Sequence, residues 1–327
     1  MAEKLIEVKS LRKYFRVGHS QVLHAVEDVS FTIEKGKTLG MVGESGCGKT
    51  TVGRTLLRLY DADGGQALFD GEDVHRIPRN RQKGLSRRMQ MVFQDPYASL
   101  DPRKTVGAIV GEGLKIHRLC KTKAEYDAKV FELLEMVGLN REHASRFPHE
   151  FSGGQRQRVG IARALSVGPE FIVCDEAISA LDVSIQAQVI NLLMRLQKQL
   201  GLTYLFIAHD LSMVRHVADD VAVMYLGTLV ETAPADTLFE HPMHPYTVGL
   251  LAAAPEPDPD YEQGRKANLL TGEVPSAINP KPGCRFCPRC PYATDECRAA
   301  MPPLAEVELG HRVACYHPVG QPSPVAG

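Results

Sequence analysis

The sequence predicts an α/β fold built on a mostly parallel, doubly wound sheet. Short apolar runs at 171–176 (FIVCDE), 203–210 (TYLFIAHD) and 221–227 (VAVMYLG) are typical of buried strands. A helix is predicted between the first two, because apolar side chains recur there at helical spacing up to Gly201, a typical helix end. Strands that alternate with helices favour parallel pairing, because each helix carries the chain back across the sheet.

Other segments fit the same α/β scheme. Residues 1–40 alternate apolar and polar side chains, as half-buried strands do. A strand ending at Val42 leads into a glycine-rich loop and an apolar helix at 52–60. Residues 61–95 contain turn signals and predict short strands, whereas residues 103–147 predict mostly helix.

The chain is long enough for one large domain and a small second one. It has 327 residues, of which 44% are hydrophobic, so a sizeable core can be buried. The composition changes at the stiff, polar run PEPDPDYEQGR, residues 255–265. We therefore predict a domain over 1–255 and a small cysteine-rich metal module over 256–327.

Charge and hydropathy exclude several classes of protein. The 38 basic and 39 acidic residues leave no basic footprint for nucleic acid, so no nucleic-acid partner is expected. No apolar run approaches the roughly 20 residues that cross a bilayer. The first ten residues, MAEKLIEVKS, contain no apolar signal core. The chain is expected to stay in the cytosol, where it can dock on a membrane protein.

Residues 43–50, GESGCGKT, match the phosphate-loop pattern G-x-x-x-x-G-K-[ST] in its required strand-to-helix context. Glycines let backbone N–H groups and the helix N-terminus face an anion. Lys49 is expected to reach the terminal phosphates of ATP, and the Thr50 hydroxyl to bind Mg2+. The predicted ATP-binding residues of this segment are Gly43, Glu44, Ser45, Gly46, Cys47, Gly48, Lys49, Thr50 and Thr51.

Four polar side chains stand at or near predicted strand ends. Asp175 is predicted to act on Mg2+, and Glu176 to polarise the attacking water. Gln94 suits a ligand of metal and water, and His209 suits a sensor of the γ-phosphate. Each side chain, taken alone, could also be an ordinary polar strand terminus.

The tetrad Ser152, Gly153, Gly154 and Gln155 lies between the phosphate loop and these carboxylates. A serine followed by two glycines at a helix start makes a second anion-binding N-terminus. The tetrad and the motifs above occur along the chain in the same order as in an ATP-binding cassette (ABC) ATPase. The chain closely resembles this family over residues 5–250.

The resemblance implies a RecA-like P-loop ATPase core with an antiparallel β subdomain and a helical subdomain at about residues 100–160. It implies that Tyr14 stacks on adenine, although Tyr14 alone suggests an edge-strand tyrosine. It implies that the tetrad serves the ATP of a partner subunit. Asp182 would lie at that interface, cap the following helix, or do both.

The chain resembles the ABC ATPase subunits of dipeptide, oligopeptide or nickel importers in segments 93–107 and 244–259 and in the cysteine tail. These importers have paired ATPases, and the resemblance is to the one designated "F". That resemblance implies a second homologous ATPase subunit in a heterodimer, two membrane permease subunits and an extracytoplasmic substrate-binding protein. The chain would then lie at the cytoplasmic face of the cell membrane. Glutathione also stays open as a substrate, and a cassette acting on nucleic acid or ribosomes is the rival interpretation. Ala177 departs from the family, because many members have proline there.

Five of the eight cysteines crowd into the tail. In a cytosolic protein such a cluster suggests a metal rather than disulfides, although reduced, buried cysteines are the alternative. The spacing C-x5-C-x6-C-x17-C fits zinc ribbons poorly. It resembles importer ATPase tails that hold a [4Fe–4S] cluster, with zinc as the second candidate. That resemblance implies Cys284, Cys290, Cys297 and Cys315 as ligands, with Cys287 as an extra thiol.

Overall fold

The computed structural model describes residues 3–18, 20–179, 181–253 and 272–320. These residues divide into two compact units, each assembled from separate stretches of chain. Within the described ranges, the first unit comprises 3–6, 33–38 and 69–207, and the second comprises 7–32, 39–68 and 208–320. The predicted linker at 255–265 lies outside the described residues, so the boundary at residue 255 stays a prediction.

The helices and strands are named in chain order. The strands are β1 (Lys4–Val17), β2 (Gln21–Glu34), β3 (Thr38–Val42), β4 (Gly64–Phe69), β5 (Glu72–Asp73), β6 (Met89–Val92), β7 (Phe171–Asp175), β8 (Thr203–Ile207), β9 (Asp220–Tyr225), β10 (Thr228–Pro234), β11 (Ala305–Glu308) and β12 (His311–Val313). The α-helices are α1 (Lys49–Leu56), α2 (Gln82–Arg88), α3 (Val106–Val110), α4 (Glu112–Ile116), α5 (Lys123–Met136), α6 (Gly153–Leu165), α7 (Val183–Leu200), α8 (Leu211–Val217), α9 (Ala235–Glu240), α10 (Pro245–Ala252) and α11 (Asp295–Ala299). Short 3-10 helices span Arg79–Arg81, Arg141–Ser145, Pro148–Glu150 and Cys287–Arg289.

The first unit contains the parallel strands that the sequence predicts. β6 pairs with β7 and β7 pairs with β8, both in parallel. Every residue of β7 and β8 is buried, which explains their continuous apolar runs. α7 connects the two strands and ends at Gly201, whose φ of 67° is the left-handed conformation typical of a helix C-terminus.

The region predicted to be mostly helical contains several short helices rather than one long one. Gly111 separates α3 from α4, and α5 begins after Thr122. Thr122 and Glu125 form a capping box, in which each side chain accepts a hydrogen bond from the other residue's backbone N–H. α2 was not expected, because residues 61–95 suggest only strands and turns.

The second unit is built around a sheet that is only partly parallel. β3 and β9 are parallel neighbours, whereas β9–β10, β10–β12 and β11–β12 are antiparallel pairs. In a further sheet β2, β1 and β4 are neighbours in that order. β3 is buried along its whole length and carries the chain into the phosphate loop.

The cysteine tail adds strands to the second unit. β12 pairs with β10, with Val313 opposite Glu231. Residues 277–279 run beside β2, where His24 N–H donates to the Ala277 carbonyl at 3.0 Å and Asn279 N–H donates to the Val22 carbonyl at 2.9 Å. The described tail therefore adds β12 to the sheet that contains β10, and it also pairs with β2 through residues 277–279. No helix in the described part of the chain combines the length and apolar character needed to cross a membrane.

Candidate ATP-binding site

The phosphate loop lies between β3 and α1 in the second unit, as predicted. Gly43, Gly46 and Gly48 all have positive φ angles, of 148°, 77° and 108°. A Cβ atom at Gly43 would overlap the carbonyl oxygen of Met224, and one at Gly48 would overlap that of Ala25. Glycine is therefore required at both ends of the loop, for conformation and for space.

Lys49 is the first residue of α1, and its side chain folds back over the loop. Its ammonium group donates hydrogen bonds to the carbonyl oxygens of Gly43 at 2.7 Å and Glu44 at 3.0 Å. Only 3% of the residue is exposed. A buried lysine held by loop carbonyls places a fixed positive charge where phosphate oxygens would bind. Burial raises the pKa of the neighbouring Cys47 thiol, so that thiol stays protonated.

Tyr14 lies on β1 in the same unit and contacts two polar residues. Its ring packs against His24 with centroids 4.5 Å apart, and its hydroxyl donates to Glu27 at 2.8 Å. Burial and this carboxylate raise the pKa of Tyr14 to about 12. The tyrosine is only partly buried. Its role in stacking on adenine stays a prediction.

The carboxylate pair lies at the end of β7 in the first unit. Asp175 is the last residue of the strand and is 1% exposed. Glu176 follows with a φ of 45°, an unusual angle for a residue with a side chain. Its N–H donates to the Ile207 carbonyl at 3.0 Å, and its carbonyl accepts from the Ser179 N–H at 3.1 Å. These bonds fix the backbone that carries the predicted catalytic carboxylate.

Gln94 and Glu176 are brought together, although 82 residues separate them in the chain. The Gln94 amide nitrogen donates to a carboxylate oxygen of Glu176 at 2.6 Å. With that nitrogen engaged, the amide oxygen is the atom left to bind a cation. Gln94 and Asp175, both in the first unit, carry an amide and a carboxylate oxygen, which belong to the ligand class that Mg2+ prefers. The binding of Mg2+ by Thr50, Gln94 and Asp175 stays a prediction.

The predicted tetrad caps α6, also in the first unit. The Ser152 hydroxyl accepts from the Gln155 N–H at 3.3 Å, and the Gln155 side chain accepts from the Ser152 N–H at 3.0 Å. This capping box fixes the first turn of the helix. Gly154 is buried against Ile185, and a Cβ there would lie 2.5 Å from the Ile185 Cγ2 atom. The exposed serine thus stands at a rigid helix N-terminus.

Asp182 and His209 are both exposed, and their predicted roles at the subunit interface and as γ-phosphate sensor stay predictions. Asp182 is exposed at the N-cap position of α7, but its side chain makes no capping hydrogen bond there. The helix-capping alternative for its side chain is therefore not realised. His209 is exposed just after β8, at the start of the second unit's last segment.

Two residues that touch the phosphate loop were not predicted from the sequence. The Tyr246 hydroxyl accepts from the Glu44 N–H at 2.9 Å. The Arg289 guanidinium donates to both carboxylate oxygens of Glu44, at 2.8 and 3.0 Å. Tyr246 belongs to the 244–247 segment HPYT, which only the resemblance singled out. Arg289 lies 245 residues from Glu44, and no local pattern reveals such a contact.

The tail cysteines line one small cavity. Its lining includes all four predicted ligands, namely Cys284, Cys290, Cys297 and Cys315, and also Cys287. Burial raises the pKa of Cys284, Cys290 and Cys315, the last to about 11, and neighbouring thiols add to the effect. No group of three or more His, Cys, Asp or Glu side chains in the described ranges is arranged to hold a metal. The expected metal module is thus not supported by the described residues.

Family models match the chain in two segments. The model described as ABC transporter matches residues 26–179. The model described as oligopeptide/dipeptide transporter, C-terminal region, matches residues 230–297. The first therefore covers the phosphate loop, the tetrad and the carboxylate pair, and the second covers most of the cysteine tail.

Curated relatives cover most of the chain. The oligopeptide transport ATP-binding protein OppF of Bacillus subtilis (strain 168) is 64% identical over 266 residues, which is 81% of this chain and 87% of the relative. The oligopeptide transport ATP-binding protein AppF of the same organism is 50% identical over 321 residues, 96% of this chain and 97% of the relative.

Solved structures share the fold at lower identity. CbiO1 from Clostridium perfringens, part of the ABC transporter complex cbiONQ, is 26% identical with a TM-score of 0.65, covering 73% of this chain and 91% of its own. The ATP-binding cassette MJ0796, in a dimeric post-hydrolysis state bound to ADP and Pi, is also 26% identical with a TM-score of 0.65, covering 70% of this chain and 98% of its own. With its phosphate loop, tetrad and carboxylates in place, the chain belongs to the ATP-binding proteins of the ABC transporter family, among those that carry the oligopeptide/dipeptide transporter C-terminal region.

Proposed function

We propose that this chain binds and hydrolyses ATP and thereby energises the import of di- or oligopeptides through partner membrane subunits. One observation carries the proposal. A complete phosphate loop, in the conformation that its glycines require, occurs in a chain that is 64% identical to an oligopeptide transport ATP-binding protein. The relatives are named for oligopeptide transport, so the nickel, glutathione, nucleic-acid and ribosome alternatives are not favoured.

The residues divide the reaction between them. Lys49 and the loop amides would bind the phosphates, and Tyr14 would stack on the adenine. Glu176 would polarise the attacking water, with Gln94 holding its carboxylate and His209 sensing the γ-phosphate. Bound Mg2+ would neutralise charge on the phosphates. The Gln94–Glu176 hydrogen bond supports this assignment, since it orients the carboxylate before any water arrives.

A second ATPase subunit would complete each site. In this proposal the tetrad does not contact the ATP bound by the phosphate loop of the same chain. It contacts the ATP bound by the partner subunit, and Asp182 lies at the interface between the two subunits. We infer a heterodimer with a homologous subunit, docked on two permease subunits at the cytoplasmic face of the membrane and supplied by an extracytoplasmic substrate-binding protein. The rigid, exposed start of α6 supports this role.

The test is Glu176→Gln in the assembled transporter, measured as ATP hydrolysis and peptide uptake. Glutamine keeps the size of the side chain but cannot act as a base, so we expect ATP binding to be retained and turnover to fall by about two orders of magnitude or more. Glu142→Gln, an exposed substitution outside the proposed site, serves as the control. Unchanged hydrolysis in the Glu176 variant would refute the catalytic role.

We also propose that the tail cavity takes a [4Fe–4S] cluster, with zinc as the second candidate. All four predicted thiols line that cavity, and sulfur is the donor that such clusters use. Each ligating thiol would lose its proton on binding. Anaerobic purification should give a brown protein with iron and sulfide. A colourless protein carrying stoichiometric zinc would refute the cluster.

A further inference from the structure

Glu44 puts a negative charge into a loop whose ligand is an anion. It is the second residue of the phosphate loop, and a carboxylate there repels the phosphate groups of ATP. The loop backbone around it is firmly held. Its N–H donates to Tyr246, and its carbonyl accepts from the Lys49 ammonium group at 3.0 Å. The backbone that carries this carboxylate is therefore held in the loop.

Arg289 neutralises that carboxylate from the tail. Its guanidinium forms a two-point ion pair with Glu44, and its side chain is 4% exposed against 25% for Glu44. Paired hydrogen bonds of this kind are strong and set a fixed geometry. Little water reaches the arginine, so screening of the pair is weaker than at an open surface.

The arginine is held in place by its own segment. It ends the 3-10 helix Cys287–Arg289, where its N–H donates to the Phe286 carbonyl at 2.9 Å. Phe286 is 1% exposed and packs edge-on against Tyr225, with ring centroids 5.4 Å apart. The pair with Glu44 therefore uses a guanidinium whose backbone is already fixed.

We propose that Arg289 is a positioning residue for ATP binding, which acts by cancelling the charge of Glu44 beside the phosphates. This inference rests on the proposed ATPase function. The tail would then contribute directly to the affinity for nucleotide, through one ion pair with the phosphate loop. Tyr246 would assist, because its hydroxyl holds the backbone N–H of Glu44.

The test is ATP titration of the purified full-length chain and of three variants. Arg289→Gln should weaken ATP binding about tenfold, the scale of one unit charge acting at roughly 10 Å with an effective dielectric constant of about 20. Arg289→Lys keeps the charge but loses the two-point geometry, so its ATP affinity should lie between those of the original chain and of Arg289→Gln. The double variant Glu44→Gln with Arg289→Gln should recover most of the lost affinity, because no unpaired carboxylate remains.

Arg298→Gln is the matched control. Arg298 is in the same tail but is exposed and pairs with the nearby Asp295 at 2.7 Å, so ATP affinity should not change. In the assembled transporter, Arg289→Gln should raise the KM for ATP while kcat stays close to that of the original protein. Added salt should reduce its defect, since screening weakens the repulsion.

Two results would overturn the inference. Arg289→Gln could bind ATP as tightly as the original chain, or its defect could persist undiminished in the double variant, which would indicate a structural role for the arginine. Failure of the original chain to bind ATP would instead overturn the proposed function. Thermal unfolding of each variant separates loss of affinity from loss of folding.

Discussion

Lys49 shows how a single side chain can be prepared for its ligand. Its ammonium group is buried and held by two carbonyl oxygens, so its position is set by the loop and not by rotamer freedom. Fixing a lysine side chain costs conformational entropy, which is lost on folding and not again on binding. One of the two carbonyls belongs to Gly43, whose φ of 148° is open to glycine and strained for other residues.

At this scale we predict that Lys49→Ala weakens ATP binding by at least about tenfold, since one charge-assisted contact to phosphate is lost. The measurement is ATP titration of the purified chain. Lys129→Ala provides the control, because Lys129 lies on α5 outside the phosphate loop and forms a partly exposed pair with Glu132. Equal affinities for the Lys49 variant and the original chain would remove Lys49 from the site.

Glu176 is strained where its function would require it. Its φ of 45° is rare for a residue with a Cβ, and backbone hydrogen bonds on both sides keep it there. Its buried neighbour Ala177, 1% exposed, packs tightly after it. The replacement of the usual proline by Ala177 leaves the carboxylate anchored to Gln94, so it gives no reason to expect lost hydrolysis.

At the scale of elements, two glycines with open space around them have opposite roles. Gly201 ends α7 with a φ of 67°, whereas Gly160 lies inside α6. A Cβ at either position would meet no atom within 4 Å. Packing is thus equal at the two sites, and only backbone conformation distinguishes them.

We predict that Gly201→Ala destabilises the protein by about 1 kcal/mol, because alanine disfavours the left-handed conformation. Gly160→Ala should stabilise it by roughly 0.5–1 kcal/mol, because alanine is the better helix former. Chemical unfolding of both variants measures the two free energies. Changes of the same sign would show that contacts beyond the backbone control these helices.

Elements built from local patterns were the ones the sequence could predict. β7, β8, α7 and the phosphate loop follow from continuous apolar runs, helical spacing and fixed glycines. The short helix α2 was missed, because its seven residues bury only Leu85 and give almost no apolar periodicity. The pairing of β12 with β10 was also missed, since nothing in either strand identifies so distant a partner.

The residues of the candidate site also fall into two groups, those predicted from local motifs and those that only the fold brings together. Residues inside motifs were found, and their local structure agrees with the motif, as the capping box of Ser152 and Gln155 shows. The Gln94–Glu176 contact was foreseen only as a shared role. Arg289 could not be predicted, because its partner Glu44 lies 245 residues away and the cysteines around Arg289 indicate a metal rather than an ion pair.

At the scale of the whole molecule, the tetrad predicts dependence on a second subunit. Ser152→Arg should leave ATP binding by the lone chain within about twofold, because the serine serves a neighbour's nucleotide. In the assembled transporter the same change should reduce hydrolysis at least about tenfold, since a bulky cation blocks the helix N-terminus. Ser145→Arg, on an exposed 3-10 helix, is the control. Full activity of the assembled Ser152 variant would refute the role.

The buried Glu231 has a consequence for any shortened form of the protein. Its side chain is 0% exposed and accepts hydrogen bonds from the N–H groups of Met243 and His244 and from the His311 ring. His311 comes from the far end of the tail. A gene fragment ending at residue 253 would leave this carboxylate without its ring partner, at a cost of about 3–5 kcal/mol. Such a fragment should accumulate as insoluble material in cells, because the last described strand of the tail completes the fold of the ATP-binding part.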